Sequence, residues 1–182
     1  MGARMYPFIR AFYHMARARR MPKLTPFETH VSEHICWPWD IDLWMELNNG
    51  RTLTLFDMGR VGRFMRDGSR EAAKEGGFGL AVAGASVRYR KRVTMFQKVK
   101  MYTKTVGYDD KFLYMEQSMW NSKGECCNHI LLRAAVLDGR KMVAPQKFVD
   151  VLQPGLESPP FPAWVQAWID ADNTRPWPPE KD

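Results

Sequence analysis

A chain of 182 residues, 45% hydrophobic and 26% charged, is long enough for one domain with its own core and too apolar to be disordered. It has no run of eighteen apolar residues, which excludes an ordinary membrane-spanning helix. The net charge of +7 is concentrated in two acid-free patches, 1–24 and 88–104, and no nucleic-acid-binding motif accompanies them, so nucleic acid is not expected as a partner.

The first patch holds Arg4, Arg10, Arg17, Arg19, Arg20 and Lys23. Within residues 5–20, Phe8, Ile9, Phe12 and Met15 recur at helical spacing, giving a helix with an apolar and a basic face. The favoured expectation is that this face packs on the domain or on a partner subunit. The other is a helix lying on an anionic membrane surface. Arg10 interrupts the apolar stretch, so no signal peptide is expected here. Pro22 and Pro26 end the segment.

Residues 27–39, with Val31, Ile35 and Trp37, alternate as a strand, and Asn48-Asn49-Gly50 breaks the chain again. Leu53, Leu55, Phe56, Val61, Phe64 and Met65 then predict a largely buried helix over 50–66, stopped by Asp67-Gly68. Residues 69–78 read as a polar, Gly-rich connection. Four strands follow, over 80–94, 96–107, 111–121 and 125–137, separated by Asp109-Asp110 and Asn121-Ser-Lys-Gly124. A loop over 154–162, a short helix over 161–170 and an extended Arg175-Pro-Trp-Pro-Pro tail complete the chain. The domain boundaries read as a basic N-terminal segment (1–24), a folded domain (25–153) and a Pro/Trp-rich extension (154–182).

One strand, one apolar helix and a meander of long strands make an α+β pattern. The helix has too many apolar positions to lie on a surface, so the sheet is expected to curl around it in a hotdog fold. The chemistry is concentrated in Asp40-Ile-Asp42-Leu-Trp-Met-Glu46-Leu-Asn48-Asn49-Gly-Arg51. A carboxylate just before a helix start lies near outward-pointing amides that can hold an anion. Asp42 is the candidate acid, with entry cap of the helix as its bland alternative. Asp40 is expected to be structural. Asp57, inside the helix, is a reserve carboxylate that pairing with Arg60 at i+3 would occupy.

Cys36, Cys126 and Cys127 have no metal spacing, and an odd count without a framework fits a reducing compartment. His14, His30, His34 and His129 form no ligand cluster and are expected to be structural or on the surface. Gly76-Gly77-Phe-Gly79 lacks the lysine of a phosphate-binding loop.

Asp40-x-Asp42 followed by Asn48-Asn49-x-Arg51 resembles the acyl-CoA thioesterases of the 4-hydroxybenzoyl-CoA thioesterase type, whose usual form is D-x-D-x-x-x-H-x-N-N-x-x-Y. Ala85-Ser-Val-Arg-Tyr-Arg-Lys-Arg92 and Val106-Gly-Tyr-Asp-Asp-Lys-Phe-Leu-Tyr114 are similar to the branch called thioesterase superfamily member six. The resemblance spans roughly residues 27–152 and implies hydrolysis of a coenzyme A thioester. It implies Asp42 as general base or nucleophile and the Asn49 amide as oxyanion donor. It also implies a homodimer or dimer of dimers, with no metal or redox cofactor.

Two positions depart from the pattern: Glu46 replaces the common His, and Thr52 the common Tyr. Glu46 would crowd Asp42 with like charge or simply face solvent. Asn48 and Arg51 are candidate substrate contacts, the first also a turn former, the second equally a surface residue. Arg88, Arg90 and Arg92, at alternate strand positions, would either meet the coenzyme's phosphates or form a solvated basic edge. A cytoplasmic enzyme is expected, in peripheral membrane contact if 5–20 lies on lipid. The competing function is a non-catalytic hotdog protein that binds acyl-CoA or lipid.

Overall fold

The computed structural model describes residues 7–181. Met5 and the rest of 1–6 lie outside them. Helix α1 (Phe8–Arg19) leads to strand β1 (His30–Ile35), a single 3-10 turn at Pro38–Asp40, and the long helix α2 (Asn49–Phe64). Next come α3 (Ser69–Gly76) and the strands β2 (Phe78–Tyr89), β3 (Lys98–Tyr108), β4 (Leu113–Asn121), β5 (Cys126–Asp138) and β6 (Lys141–Val143). Helices α4 (Pro145–Leu152) and α5 (Ala163–Asn173) end the fold.

All pairings are antiparallel, in the order β1-β3-β4-β5-β2, with β6 continuing against β5. Register irregularities at Val82/Gly84, Thr105/Gly107 and Met119/Trp120 bend the strands, as bulges do. Helix α2 lies against the inner face with Leu55, Phe56 and Met58 fully buried. Two glycines set its approach. A β-carbon on Gly59 would fall inside van der Waals contact of Met101 Sδ, and one on Gly62 would sit 2.6 Å from His30 Nε2. Val99, Met101, Met119, Cys127, Ile130 and Leu132 complete the core beneath it. This is the hotdog arrangement expected from the sequence: an α+β fold with an antiparallel sheet around one helix.

The strands and α2 fall where their patterns place them, within a few residues. Residues 69–78 do not form a loose connection: Ser69–Gly76 is helical, because Arg, Glu, Ala and Lys are good helix formers and Ala72 has a core site beside Val136 and Phe148. The C-terminal segment is a layer of the fold. Helix α5 sets Val165 and Ile169 on the outer face of the sheet against Val106, Tyr114 and Leu131. Arg133 packs its guanidinium on Phe112, 4.6 Å from the ring centre, and pairs with Asp172 of α5 at 2.5 Å.

Helix α1 packs on the domain, but not through the expected apolar side. Ala11, His14 and Ala18 face inward, while Ile9, Phe12 and Tyr13 are exposed. The seam with α2 and β1 is filled by small residues and imidazoles, with the His14 and His34 rings 4.3 Å apart and tilted by 31°. Burial first, then Arg10 and Arg17, lowers the His14 pKa to about 4. Burial, then Arg66 and Arg63, does the same to His30, whose Nδ1 lies 2.7 Å from Arg66 Nη1. His34, also buried, is pushed well below the ordinary range.

Candidate active site

The Asp-rich segment forms a tight hairpin that delivers the chain into α2. An Ile41–Leu47 bridge pairs its arms, with Asp42 N donating to Glu46 O at 2.9 Å and Asn48 N to Asp40 O at 2.9 Å. Asp40 is buried at 3% exposure and accepts from Arg10 Nη1 at 2.8 Å and Trp37 N at 3.0 Å. It is structural, as expected, and anchors both the 3-10 turn and α1.

Asp42, half-buried, accepts from Trp44 N at 2.9 Å and Glu46 N at 3.4 Å through the same oxygen, Oδ1. Oδ2 accepts no hydrogen bond within the described residues. The carboxylate thus caps the hairpin turn, not α2 itself. The helix cap is Asn48, whose Oδ1 accepts from Gly50 N at 2.9 Å and Arg51 N at 3.2 Å. Thr52 N takes the Asn48 carbonyl at 2.8 Å. Among the amides of this first turn, Asn49 N–H alone donates no hydrogen bond within the described residues. Cap chemistry therefore leaves one outward amide, with the helix dipole behind it.

Glu46 does not press on Asp42 as an unpaired like charge. Its carboxylate pairs with Arg92 Nε at 2.8 Å, across 46 positions of sequence. Thr52 is fully buried and its hydroxyl donates to Asn48 O at 3.2 Å. Arg51 is half-buried, and Arg88 and Arg90 are exposed. The expected three-arginine strand face does not form: β2 ends at Tyr89, so only Arg88 stands in the ladder, opposite His129.

Asp42, Asn48, Asn49, Arg51, Arg88 and Arg90 line neither of two large hollows in the chain. One, of about 300 Å³, runs beneath the second half of α2, walled by Val61, Phe64, Leu80, Met115, Phe148 and Leu152. Asp57 and Arg60 stand at its edge, paired at 3.1 Å as the i+3 spacing implies. Arg60 also donates to Gln117 Oε1 at 2.8 Å, while Gln117 Nε2 donates to Phe56 O at 2.8 Å and Thr103 Oγ1 at 2.9 Å. Nothing in the sequence singled out Gln117; its one signal is an amide at an inward position of an alternating strand. Among the described residues no group of three His, Cys, Asp or Glu side chains is placed to hold a metal ion, and no helix is long and apolar enough to cross a membrane.

An antiparallel sheet on a central helix, with a carboxylate hairpin feeding that helix's N-terminus, defines a hotdog protein of the thioesterase kind. Residues 36–169 match the model of the Thioesterase-like superfamily, and the chain belongs to that family. Among curated relatives it is 29% identical over 164 residues to Protein THEM6 of Xenopus laevis, covering 89% of this chain and 78% of that protein. The figures for Protein THEM6 of Drosophila melanogaster are 27% over 172 residues, 90% and 84%. Similar solved structures include YbaW, a probable thioesterase of Escherichia coli (TM-score 0.64, 13% identity, 68% of this chain and 96% of that one). A DHNA-CoA thioesterase of Staphylococcus aureus gives TM-score 0.58 at 17% identity, over 80% and 91%. At such identities the solved structures show the fold alone.

Proposed function

We propose that this chain hydrolyses acyl-CoA thioesters at the hairpin that enters α2. The observation that carries the reading is the division of labour at that helix start. Asn48 consumes the Gly50 and Arg51 amides, leaving Asn49 N–H to face a ligand, while Asp42 keeps Oδ2 unengaged on the same hairpin. Water adds to the thioester carbonyl carbon as Asp42 takes its proton, and the carbonyl oxygen gathers charge toward the Asn49 amide. Collapse breaks the C–S bond, releasing the free acid, and the departing sulfur takes the proton back from Asp42 to leave as coenzyme A thiol. Attack by Asp42 itself, through an anhydride that water then opens, uses the same two groups. Either route requires only water as co-reactant. Arg88, Arg90 and Arg51 are the cations assigned to the coenzyme's phosphates, with Asn48 beside the carbonyl. The family, and the coenzyme A thioester named for the Staphylococcus aureus neighbour, support this substrate class.

The site belongs to a homodimer on this reading. Strand β2 is a twelve-residue edge with Leu80, Val82 and Tyr89 exposed, a shape that monomers avoid and that a second copy would extend. Leu80 and Val82 also wall the cavity beneath α2, so a partner strand would close it.

The competing reading, an acyl-CoA or lipid binder without turnover, rests on Asp42 Oδ1 being engaged as a turn cap. Thiol release from a panel of acyl-CoAs, with binding followed in parallel by calorimetry, separates the two. Turnover of any member supports hydrolysis; saturable binding with no thiol release selects the binder.

A further inference from the structure

The outward side of α1 is apolar. At about 100° per residue, Phe12, Ala16, Ile9 and Tyr13 form one continuous exposed stripe, opposite the buried Ala11, His14 and Ala18. Ile9 is 89% exposed. The stripe does not fade into neutral polar residues: Arg19 and Arg20, both exposed, lie on it one turn further along. No acid precedes Glu28 in the chain, so this side is apolar at one end and cationic at the other.

The neighbouring segment adds to it. Arg10 ties α1 to the 3-10 turn through Asp40, and Trp37 and Trp39 share a groove of about 1320 Å³ with Ile9 and Tyr13. Three residues beyond Asp40 the hairpin presents Leu43 at 92% exposure, then Trp44 at 70% and Met45. Met45 adopts φ 59°, a left-handed conformation that non-glycine residues rarely take, in the turn that Asp42 caps. A backbone strained to hold three large apolar side chains in water indicates a partner for them.

We propose that the α1 stripe, with Trp39 beside it and Leu43–Met45 on the hairpin that adjoins the Arg10–Asp40 tie, docks on an anionic lipid bilayer. Charge complementarity selects this occupant. A second copy of the stripe offers Arg19 and Arg20 no acid, only like charge or the apolar end of the helix, whereas an anionic leaflet neutralises them while its acyl boundary receives Ile9, Phe12 and Trp44. Indole rings suit that depth, with an apolar body and a polar edge. Docking holds whether or not Asp42 is a base, and it brings the hairpin to the lipid surface.

The test is flotation of the full chain with phosphatidylcholine vesicles, plain or carrying about 30% phosphatidylserine. Wild type should float with the anionic vesicles, at least about tenfold more than with the neutral ones, and less in about 0.5 M salt. I9E/F12E and, separately, W44E should each cut flotation by about tenfold or more, with circular dichroism and mass by light scattering unchanged. R19S/R20S should weaken it about fivefold per arginine. The proposal is overturned if wild type floats with neither vesicle or if I9E/F12E floats as wild type does. It is overturned equally if I9E/F12E halves the solution mass, which would make the stripe an interface between copies.

Discussion

Alanine at Gly59 places one methyl group where the helix meets the sheet, and its cost can be worked from the contacts. The β-carbon would fall within contact of Met101 Sδ and 3.0 Å from both Gln117 Nε2 and Thr103 Oγ1. A lone methionine tip could swing aside, but these three are linked. Gln117 donates to Thr103 and to Phe56 O, and Met101 is fully buried. Overpacking of this kind costs about 1–3 kcal/mol. A Gly→Ala change in a helix interior returns about 1 kcal/mol, and straining the Gln117 bonds adds about 1 kcal/mol each. The net expectation is a loss of about 2–4 kcal/mol, at about 2–4 °C of melting temperature per kcal/mol at this chain length. Urea unfolding followed by circular dichroism gives the midpoint, and an unchanged slope confirms that stability alone has moved. If Gly59→Ala is neutral or stabilising, α2 is not seated on Met101, Thr103 and Gln117, and the account of the central helix fails.

Other expectations concern the α1 seam and the helix cap. Arg10→Ala should cost about 3 kcal/mol, because it strands the buried Asp40 carboxylate; equal urea midpoints for variant and wild type would contradict this. Asn48→Ala should cost about 1 kcal/mol and slow any thioesterase turnover, since the Gly50 and Arg51 amides then compete with Asn49 for the anion. His14 and His30 protonate near pH 4 when folded, against 6.5 for an unperturbed imidazole. Between these values the unfolded chain holds more protons, so stability is full above about pH 6.5 and declines as the pH falls toward 4. The loss is up to about 3 kcal/mol per ring. His14→Gln should flatten that decline in thermal melts across pH 4–7, and an unaltered profile would exclude the imidazole as its source.

What was legible in the sequence followed from short-range chemistry. The α2 pattern, the hairpin turns and the Asp42–Asn49 motif each depend on residues within a few positions of one another. The side of α1 that is covered was not legible, because periodicity shows which residues share a face and not which face is close to a neighbour. Only the approach of α2 and β1 decides that Ala11, His14 and Ala18 go inside. Long-range pairs were hidden for the same reason: Glu46 with Arg92, Arg60 with Gln117, and Arg133 with Asp172. The carboxylate segment was singled out from sequence, but its hairpin and Asp42's work as a turn cap emerged only with the backbone around it. Leu43, Trp44 and Met45 carried a signal that could have been read, since three large apolar residues inside a turn are out of place.

Two carboxylates compete for the chemistry, Asp42 on the hairpin and Asp57 at the edge of the apolar cavity, and one paired measurement decides between them. Initial rates of thiol release are to be compared for wild type, Asp42→Asn and Asp57→Asn, each checked for folding by circular dichroism. The account predicts that Asp42→Asn lowers the rate by about a hundredfold or more, while Asp57→Asn, which weakens the Arg60 pair, stays within about tenfold of wild type. Loss of turnover in Asp57→Asn with Asp42→Asn still active would contradict it and move the reaction to the cavity.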